Sequence, residues 1–108
     1  MIARIWRGET APEKANKYFE YLQATGLKEY QDTPGNQGVF VLRRIHDRRA
    51  EFLLLSLWQS WDAIRAFAGN DLDKAVYYPE DEAYLLSLEP EVTHYEILAA
   101  PKEIETKS

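Results

Sequence analysis

The stretch FLLLSLW at residues 52–58 is apolar at every position except Ser56, so both its odd and its even positions are mainly apolar. Side chains of a β-strand alternate between two faces, so a strand of this kind has to be covered on both faces. The turn sequence Asp47-Arg48-Arg49 comes just before it and follows a second run, residues 38–47, whose positions 39–42 are also apolar. The short link predicts that strands 38–47 and 51–59 form an antiparallel hairpin.

The residues at the N-terminus predict a strand followed by a helix. Residues 1–8 carry the first strand. Thr10 and Glu13 have the spacing of a capping box, with Pro12 suited to the first helical turn. This pattern predicts a helix with Thr10 as its N-cap, running to about residue 25.

The rest of the chain also predicts a succession of helices, loops and strands. Gly26 is expected to end the first helix, and residues 27–37 are expected to form a loop because they contain a strong turn signal. Three elements are predicted after the hairpin: a helix capped by Ser60 and ending near Gly69, a helical segment at 79–86, and a last strand at 91–99.

The resulting β-α-β-β-α-β order predicts an α+β fold, the ferredoxin-like plait, over residues 1–99. In this plait one four-stranded antiparallel sheet carries helices on one face, and its first strand lies between the third and the fourth. Residues 100–108 are expected to be a polar tail. No third layer is predicted, so a second copy of the chain is expected to cover the free sheet face and give a homodimeric α+β barrel. The alternative is a monomer that exposes apolar surface.

Composition excludes several classes of function. The 108 residues include no cysteine, which rules out disulfides, thiolate nucleophiles and cysteine zinc sites. The net charge of −5 argues against nucleic-acid binding. The longest apolar run is too short to span a bilayer, and no signal-peptide pattern opens the sequence, so a cytoplasmic location and no membrane partner are expected. The acidic run at 80–82 is expected to start a helix, and no metal site is predicted.

Side-chain parity predicts a polar site on the helix-covered face. Arg4 and Trp6 share one face of the first strand, Ser56 and Trp58 share one face of the third, and His94 shares a face of the fourth with Glu96. If these faces coincide, a cation and an imidazole meet between aromatic walls.

Each of these residues has a functional and a structural interpretation. His94 is the candidate general base, or else a hydrogen-bonded structural histidine. Arg4 is the candidate group that stabilises an enolate or phenolate, or else the ion-pair partner of Glu96. The tryptophans are candidate substrate-stacking groups, or else members of the core.

The element order, Leu57-Trp58 before the Ser60 cap, and VTHYEI at 92–97 together resemble the antibiotic biosynthesis monooxygenase family. Residues 67–81 resemble an uncharacterised branch of it, and the resemblance covers about residues 1–98. It implies a pocket between sheet and helices in each subunit, which adds Phe67 and Tyr77 to the candidate substrate-binding residues.

The resemblance also bears on the reaction. The haem-degrading branch has Asn on the first strand and Trp and His around the second helix, where this chain has Trp6, Phe67 and Tyr77. No haem degradation and no cofactor are therefore expected. The implied function is a cofactor-independent monooxygenase-like reaction on an aromatic or polyketide-like molecule. The alternative is a non-catalytic dimeric barrel that binds a small ligand or a partner.

Overall fold

A computed structural model of the chain describes residues 1–101. The strands form one antiparallel sheet in the order β2-β3-β1-β4, so β1 lies between the third and the fourth strand. The predicted ferredoxin-like α+β fold is confirmed. The elements are β1 (Ile2–Thr10), a 3₁₀ turn (Pro12–Lys14), α1 (Ala15–Ala24), α2 (Gly26–Asp32), β2 (Asn36–His46), β3 (Arg49–Trp58), α3 (Trp61–Ala68), α4 (Asp81–Tyr84) and β4 (Thr93–Glu96).

Two local signals that the sequence predicted are present. Asp47 and Arg48, which join β2 to β3, have φ angles of 49° and 60°, the left-handed pair that a tight β-hairpin requires. The Ser60 side chain accepts a hydrogen bond from the Ala63 N–H and caps α3. Both features fix the ends of β3, the strand that runs through the centre of the sheet next to β1.

Three predictions about the elements were wrong. Thr10 is the last residue of β1, and its hydroxyl donates to the Ala11 carbonyl, so it does not cap a helix. The expected loop at 27–37 begins with helix α2, because Leu27 and Tyr30 are both buried one helical turn apart. The last strand is shorter than 91–99, since the Val92 N–H is bonded to the Asp73 carbonyl outside the sheet. Of the expected polar tail at 100–108, residues 102–108 lie outside the described part of the chain.

The two faces of the sheet differ in exposure. The helix-covered face holds the core, whose most deeply buried side chains include Trp58, Phe52 and Ile64. The opposite side is apolar but open: Phe40 is 50%, Leu42 49% and Tyr95 59% exposed. We call this opposite side the outer face; by register it also carries Ile5, Leu53 and Leu55.

Within residues 1–101, no helix has both the length and the apolar character that crossing a membrane requires. The same range holds no cluster of three or more His, Asp or Glu side chains arranged to bind a metal ion.

Candidate functional site

A small cavity lies between the helix-covered face of the sheet, helices α1 and α2, and the segment that joins α3 to β4. We call this joining segment, residues 69–92, the capping segment. The cavity measures about 30 Å³, which is room for roughly two water molecules. Its walls are mostly aromatic and aliphatic, and its polar groups are Arg4, Tyr18, Tyr30, Tyr77, Tyr78 and Asp81.

Arg4 is a buried cation at the wall of this cavity, with only 2% of its surface exposed. Its guanidinium donates from Nη1 to the Leu72 carbonyl at 2.6 Å and from Nη2 to the Lys74 carbonyl at 2.9 Å. Its Nε has no hydrogen-bond partner among residues 1–101. Burial lowers the pKa of Arg4, and the neighbouring Tyr30 and Asp73 partly oppose this shift.

The ion pair between Arg4 and Glu96, one of the two alternatives for Arg4, is absent from the described chain. Glu96 lies opposite Ile2 at the end of β4 and is exposed, whereas the register places His94 directly opposite Arg4. The capping segment brings two backbone carbonyls to the guanidinium instead. Carbonyl dipoles satisfy hydrogen bonds but do not neutralise the charge, so Arg4 remains a buried cation without a carboxylate in contact.

His94 shares the helix-covered face with Arg4, as predicted, but it does not line the cavity. Its Nε2 accepts from Arg4 Nη1 at 3.0 Å, and its Nδ1–H donates to Asp73 Oδ1 at 3.1 Å. The edge of Trp61 packs against the ring. Because both ring nitrogens are occupied, this geometry fits the second alternative, a hydrogen-bonded structural histidine, and does not support a base within the pocket.

The neutral state of His94 predicts a pH dependence of stability. Burial, and secondly the charge of Arg4, lower its pKa below the ordinary 6.5, while Asp73 opposes the shift. The contribution of the neutral ring to the free energy of unfolding is therefore fully present above pH 6.5. This contribution is lost as the pH falls through the lowered pKa. We expect thermal melts between pH 8 and pH 5 to show a loss in the wild type that His94→Gln reduces. The control is His46→Gln, at a half-exposed histidine; equal pH profiles for the wild type and His94→Gln would contradict the assignment.

Ser56 and Trp58, predicted to bind substrate, lie behind the cavity wall. Both have 0% of their surface exposed. The Trp58 Nε1–H donates to Ser56 Oγ at 2.9 Å, and the Ser56 hydroxyl donates to the Arg4 carbonyl. The indole packs against Phe67 and Tyr30. Tyr30 of α2 covers both side chains. Ser56 and Trp58 therefore support the cavity wall from behind and do not line its interior.

Trp6 and Tyr77 line the cavity, as the sequence predicts. The Trp6 Nε1–H donates to the Tyr77 hydroxyl at 3.2 Å, and that hydroxyl donates to the Glu89 carbonyl. Burial raises the pKa of Tyr77. The Trp6 ring folds back over Gly8, where a Cβ atom would collide with it, so any larger residue at this position would displace the ring. The pair of side chains ties the capping segment to β1.

Phe67 and Tyr30 form a second aromatic wall. Their rings stack at 4.5 Å, and Arg4 Cζ lies 5.7 Å from the Phe67 ring centre. Burial raises the pKa of Tyr30, while interactions with Arg4 and Ser56 partly oppose that shift. Phe67 was predicted, but Tyr30 was missed because its segment was expected to be a loop. The spacing of Leu27 and Tyr30 was the available signal.

Asp81 is a buried carboxylate in the same cavity, with 3% of its surface exposed. Its Oδ2 accepts a hydrogen bond from the Tyr78 N–H at 2.6 Å, and the Tyr78 hydroxyl donates to Glu29. No lysine, arginine or histidine among residues 1–101 forms a salt bridge with Asp81. Burial raises its pKa. The sequence indicated only an acid at a helix start.

Comparisons with known proteins show a structural likeness. No family model matches the chain, and no curated protein matches its sequence. The haem degrader MhuD from Mycobacterium tuberculosis, solved with two haems bound in its active site, superposes with a TM-score of 0.57 at 17% identity. The match covers 94% of this chain and 99% of that one.

A second MhuD structure, a point variant with two manganese protoporphyrin IX molecules bound per active site, matches with a TM-score of 0.56 at 17% identity. It covers 94% of this chain and 98% of that chain. The haem-free form of the same haem-degrading protein gives 0.52 at 16% identity, with 94% and 99% covered. At such low identity the likeness concerns the fold, so this chain has the ferredoxin-like α+β fold that the MhuD structures share.

Proposed function

We propose that this chain is a homodimeric, cofactor-independent oxygenase whose pocket binds a small aromatic or polyketide-like molecule through an anionic oxygen. One observation carries the proposal. The buried guanidinium of Arg4 lines an aromatic cavity, has no carboxylate in contact among residues 1–101, and keeps an unpartnered Nε. A phenolate or enolate oxygen in the cavity would supply the missing negative charge.

The proposed chemistry follows from that charge. An enolate or phenolate is electron-rich enough to react with dioxygen without a metal or flavin, provided that water is excluded. Arg4 stabilises the anionic form of the substrate, and the aromatic walls of Trp6 and Phe67 keep the site dry. Dioxygen is the oxidant, and no protein-bound cofactor takes part.

Binding requires the capping segment to move outward, because the present cavity holds only about two waters. Most of this segment is irregular, with α4 as its one short helix. A few separate hydrogen bonds hold it, among them Trp6 to Tyr77 and the Leu86 N–H to the Glu9 carbonyl. These separate contacts support the proposal that the capping segment can open.

Haem is not the expected substrate, although the MhuD structures contain haem or a manganese porphyrin. His94 has both ring nitrogens engaged outside the cavity, and His46 lies at the far end of β2 beside Asp47. Neither imidazole is positioned to bind an iron in the pocket.

The homodimer is proposed from the outer face. Monomeric proteins rarely expose an apolar patch of this kind, and a second outer face is the self-complementary cover that a two-fold axis provides. The lack of cysteine is compatible with a cytoplasmic location, which we keep as part of the proposal.

The test is a thermal-shift panel of phenols and 1,3-diketones, followed by oxygen-consumption assays on the compounds that bind. We expect binding compounds to raise the melting temperature of the wild type and of Arg65→Gln, which changes an exposed arginine of α3. Arg4→Gln, shown to be folded by circular dichroism, should lose that response. Haem with a reductant should keep its Soret band.

Each other outcome has a defined meaning. A panel without any stabilising compound contradicts the pocket. A response that Arg4→Gln retains contradicts the role of the cation. Binding without oxygen uptake favours the non-catalytic ligand-binding barrel, and loss of the Soret band with release of iron shows that the chain degrades haem.

A further inference from the structure

Two opposite charges that lack charged partners face the same cavity. Arg4, on β1, and Asp81, the first residue of α4, both line it, and both are almost fully buried. We infer that Asp81 is the general base of this pocket and takes a proton from the bound molecule while Arg4 holds the oxyanion that forms. The inference rests on the proposed function, since it assigns a second group to the same site.

Hydrogen bonds from residues 1–101 satisfy only one of the two oxygens of the Asp81 carboxylate. Among residues 1–101, the one hydrogen bond to it comes from the Tyr78 N–H to Oδ2. A purely structural cap of this turn needs no burial in a cavity, and an exposed carboxylate would accept the same bond. Burial of a carboxylate to 3% exposure without a cation beside it costs desolvation free energy. Such an arrangement is typical of sites where a ligand completes the contacts.

Burial also tunes the basicity of the group. Desolvation raises the pKa of Asp81 above its ordinary 3.8, and the Tyr78 hydrogen bond only partly opposes this. A carboxylate with a raised pKa is a stronger base than an exposed one. The direction of the shift therefore agrees with the role that the geometry assigns.

The pair selects a chemical class of substrate. A neutral carbon acid or phenol has one acidic hydrogen and one oxygen that becomes negative when that hydrogen leaves. With the capping segment displaced far enough to admit it, such a molecule would lie between a proton acceptor at Asp81 and a cation at Arg4, with the ring of Phe67 in the same wall. A 1,3-diketone attached to an aromatic ring has all of these features.

The proposed step is a proton transfer that is balanced in itself. The acidic C–H or O–H bond breaks, its proton goes to the Asp81 carboxylate, and the electron pair stays on the substrate. The resulting charge resides on the oxygen that Arg4 binds. Asp81 then releases the proton to water or returns it to the substrate. No oxidant is consumed, so the step can be followed apart from any reaction with dioxygen.

Benzoylacetone in D₂O under nitrogen is the probe, with deuterium exchange at its methylene followed by NMR. We expect the wild type to accelerate exchange over buffer, and Asp81→Asn to lose about 100-fold or more of that acceleration. The matched control is Glu82→Gln, which removes an exposed charge from the next residue and should exchange like the wild type. Thermal shift with benzoylacetone should show that Asp81→Asn still binds.

Stability measurements without ligand separate the base from a structural cap. A raised pKa means that Asp81 favours the fold when protonated, and that this stability is lost as the pH rises through the folded pKa. Asp81→Asn should therefore melt at or above the wild-type temperature at pH 7, with the gain shrinking toward acid pH. Asparagine also keeps an oxygen for the Tyr78 N–H.

The outcomes are distinguishable. Failure of the wild type to bind benzoylacetone contradicts the pocket and with it the proposed function. Binding without accelerated exchange, or undiminished exchange in Asp81→Asn, overturns the role of Asp81 alone. A clear loss of melting temperature in Asp81→Asn at pH 7 shows that the carboxylate is structural and also overturns the inference.

Discussion

Leu55→Asp is expected to convert the proposed dimer into monomers. Leu55 lies on the outer face in the central strand β3, between Phe40 of β2 and Ile5 of β1. A carboxylate placed there would be buried without a cation in the paired sheets, at a cost on the order of 3–5 kcal/mol per unpaired charge. Sedimentation at micromolar concentration should give about 25 kDa for the wild type, twice 12.6 kDa, and the single-chain mass for the variant.

The matched control is Ile45→Asp. Ile45 is 61% exposed and lies near the end of β2, where its register partner Ala50 faces the helices and not the outer face. This variant should sediment like the wild type. A wild type that sediments only as the 12.6 kDa species would refute the dimer, and an unaffected Leu55→Asp dimer would place the interface elsewhere.

Trp58→Ala is expected to remove about 3–5 kcal/mol from the free energy of unfolding. The indole is fully buried, packs against Tyr30 and Phe67, and its Nε1–H is bonded to Ser56. Its loss leaves a cavity behind two wall residues and leaves the buried Ser56 hydroxyl without that donor. Urea or thermal unfolding measures the change.

Trp61→Ala is the control for size and chemistry, because Trp61 is 42% exposed at the start of α3. Trp61→Ala should lower the free energy of unfolding much less than Trp58→Ala does. If Trp58→Ala kept wild-type stability and lost only the response to ligands, Trp58 would be a substrate-stacking residue, the other alternative from the sequence, and its assignment to the core would be wrong.

Most of the fold could be predicted from the sequence because the patterns that indicate its elements are local. The apolar run at 52–58, the tight turn after it and the Ser60 cap each depend on neighbours a few residues away. The second helix was missed for the same reason: Gly26 is typical of a helix end, yet here burial of Leu27 and Tyr30 against the sheet extends helical structure past it. Tertiary burial overrode a local preference.

The site was accessible only in part. Parity along β1 correctly places Arg4 and Trp6 together on the helix-covered face, because alternation in a strand needs no knowledge of distant segments. The position of Asp81 depends on the path of the capping segment, which carries no clear periodicity. Likewise, the sequence left open whether His94 is a general base or a structural histidine, and the approach of Asp73 from that segment engages its second nitrogen.

Successive side chains of β1 point to opposite faces of the sheet, and only the backbone of the strand separates these two faces. Its even residues, Arg4 and Trp6, enter the cavity, whereas Ile5 belongs to the outer face. Self-association and ligand occupancy would therefore act on opposite sides of one backbone, and any coupling through it would change both free energies by the same amount. In a dilute solution where subunits separate, the apparent affinity for a ligand would then vary with total protein concentration, and a titration at a single concentration would report the sum of both equilibria.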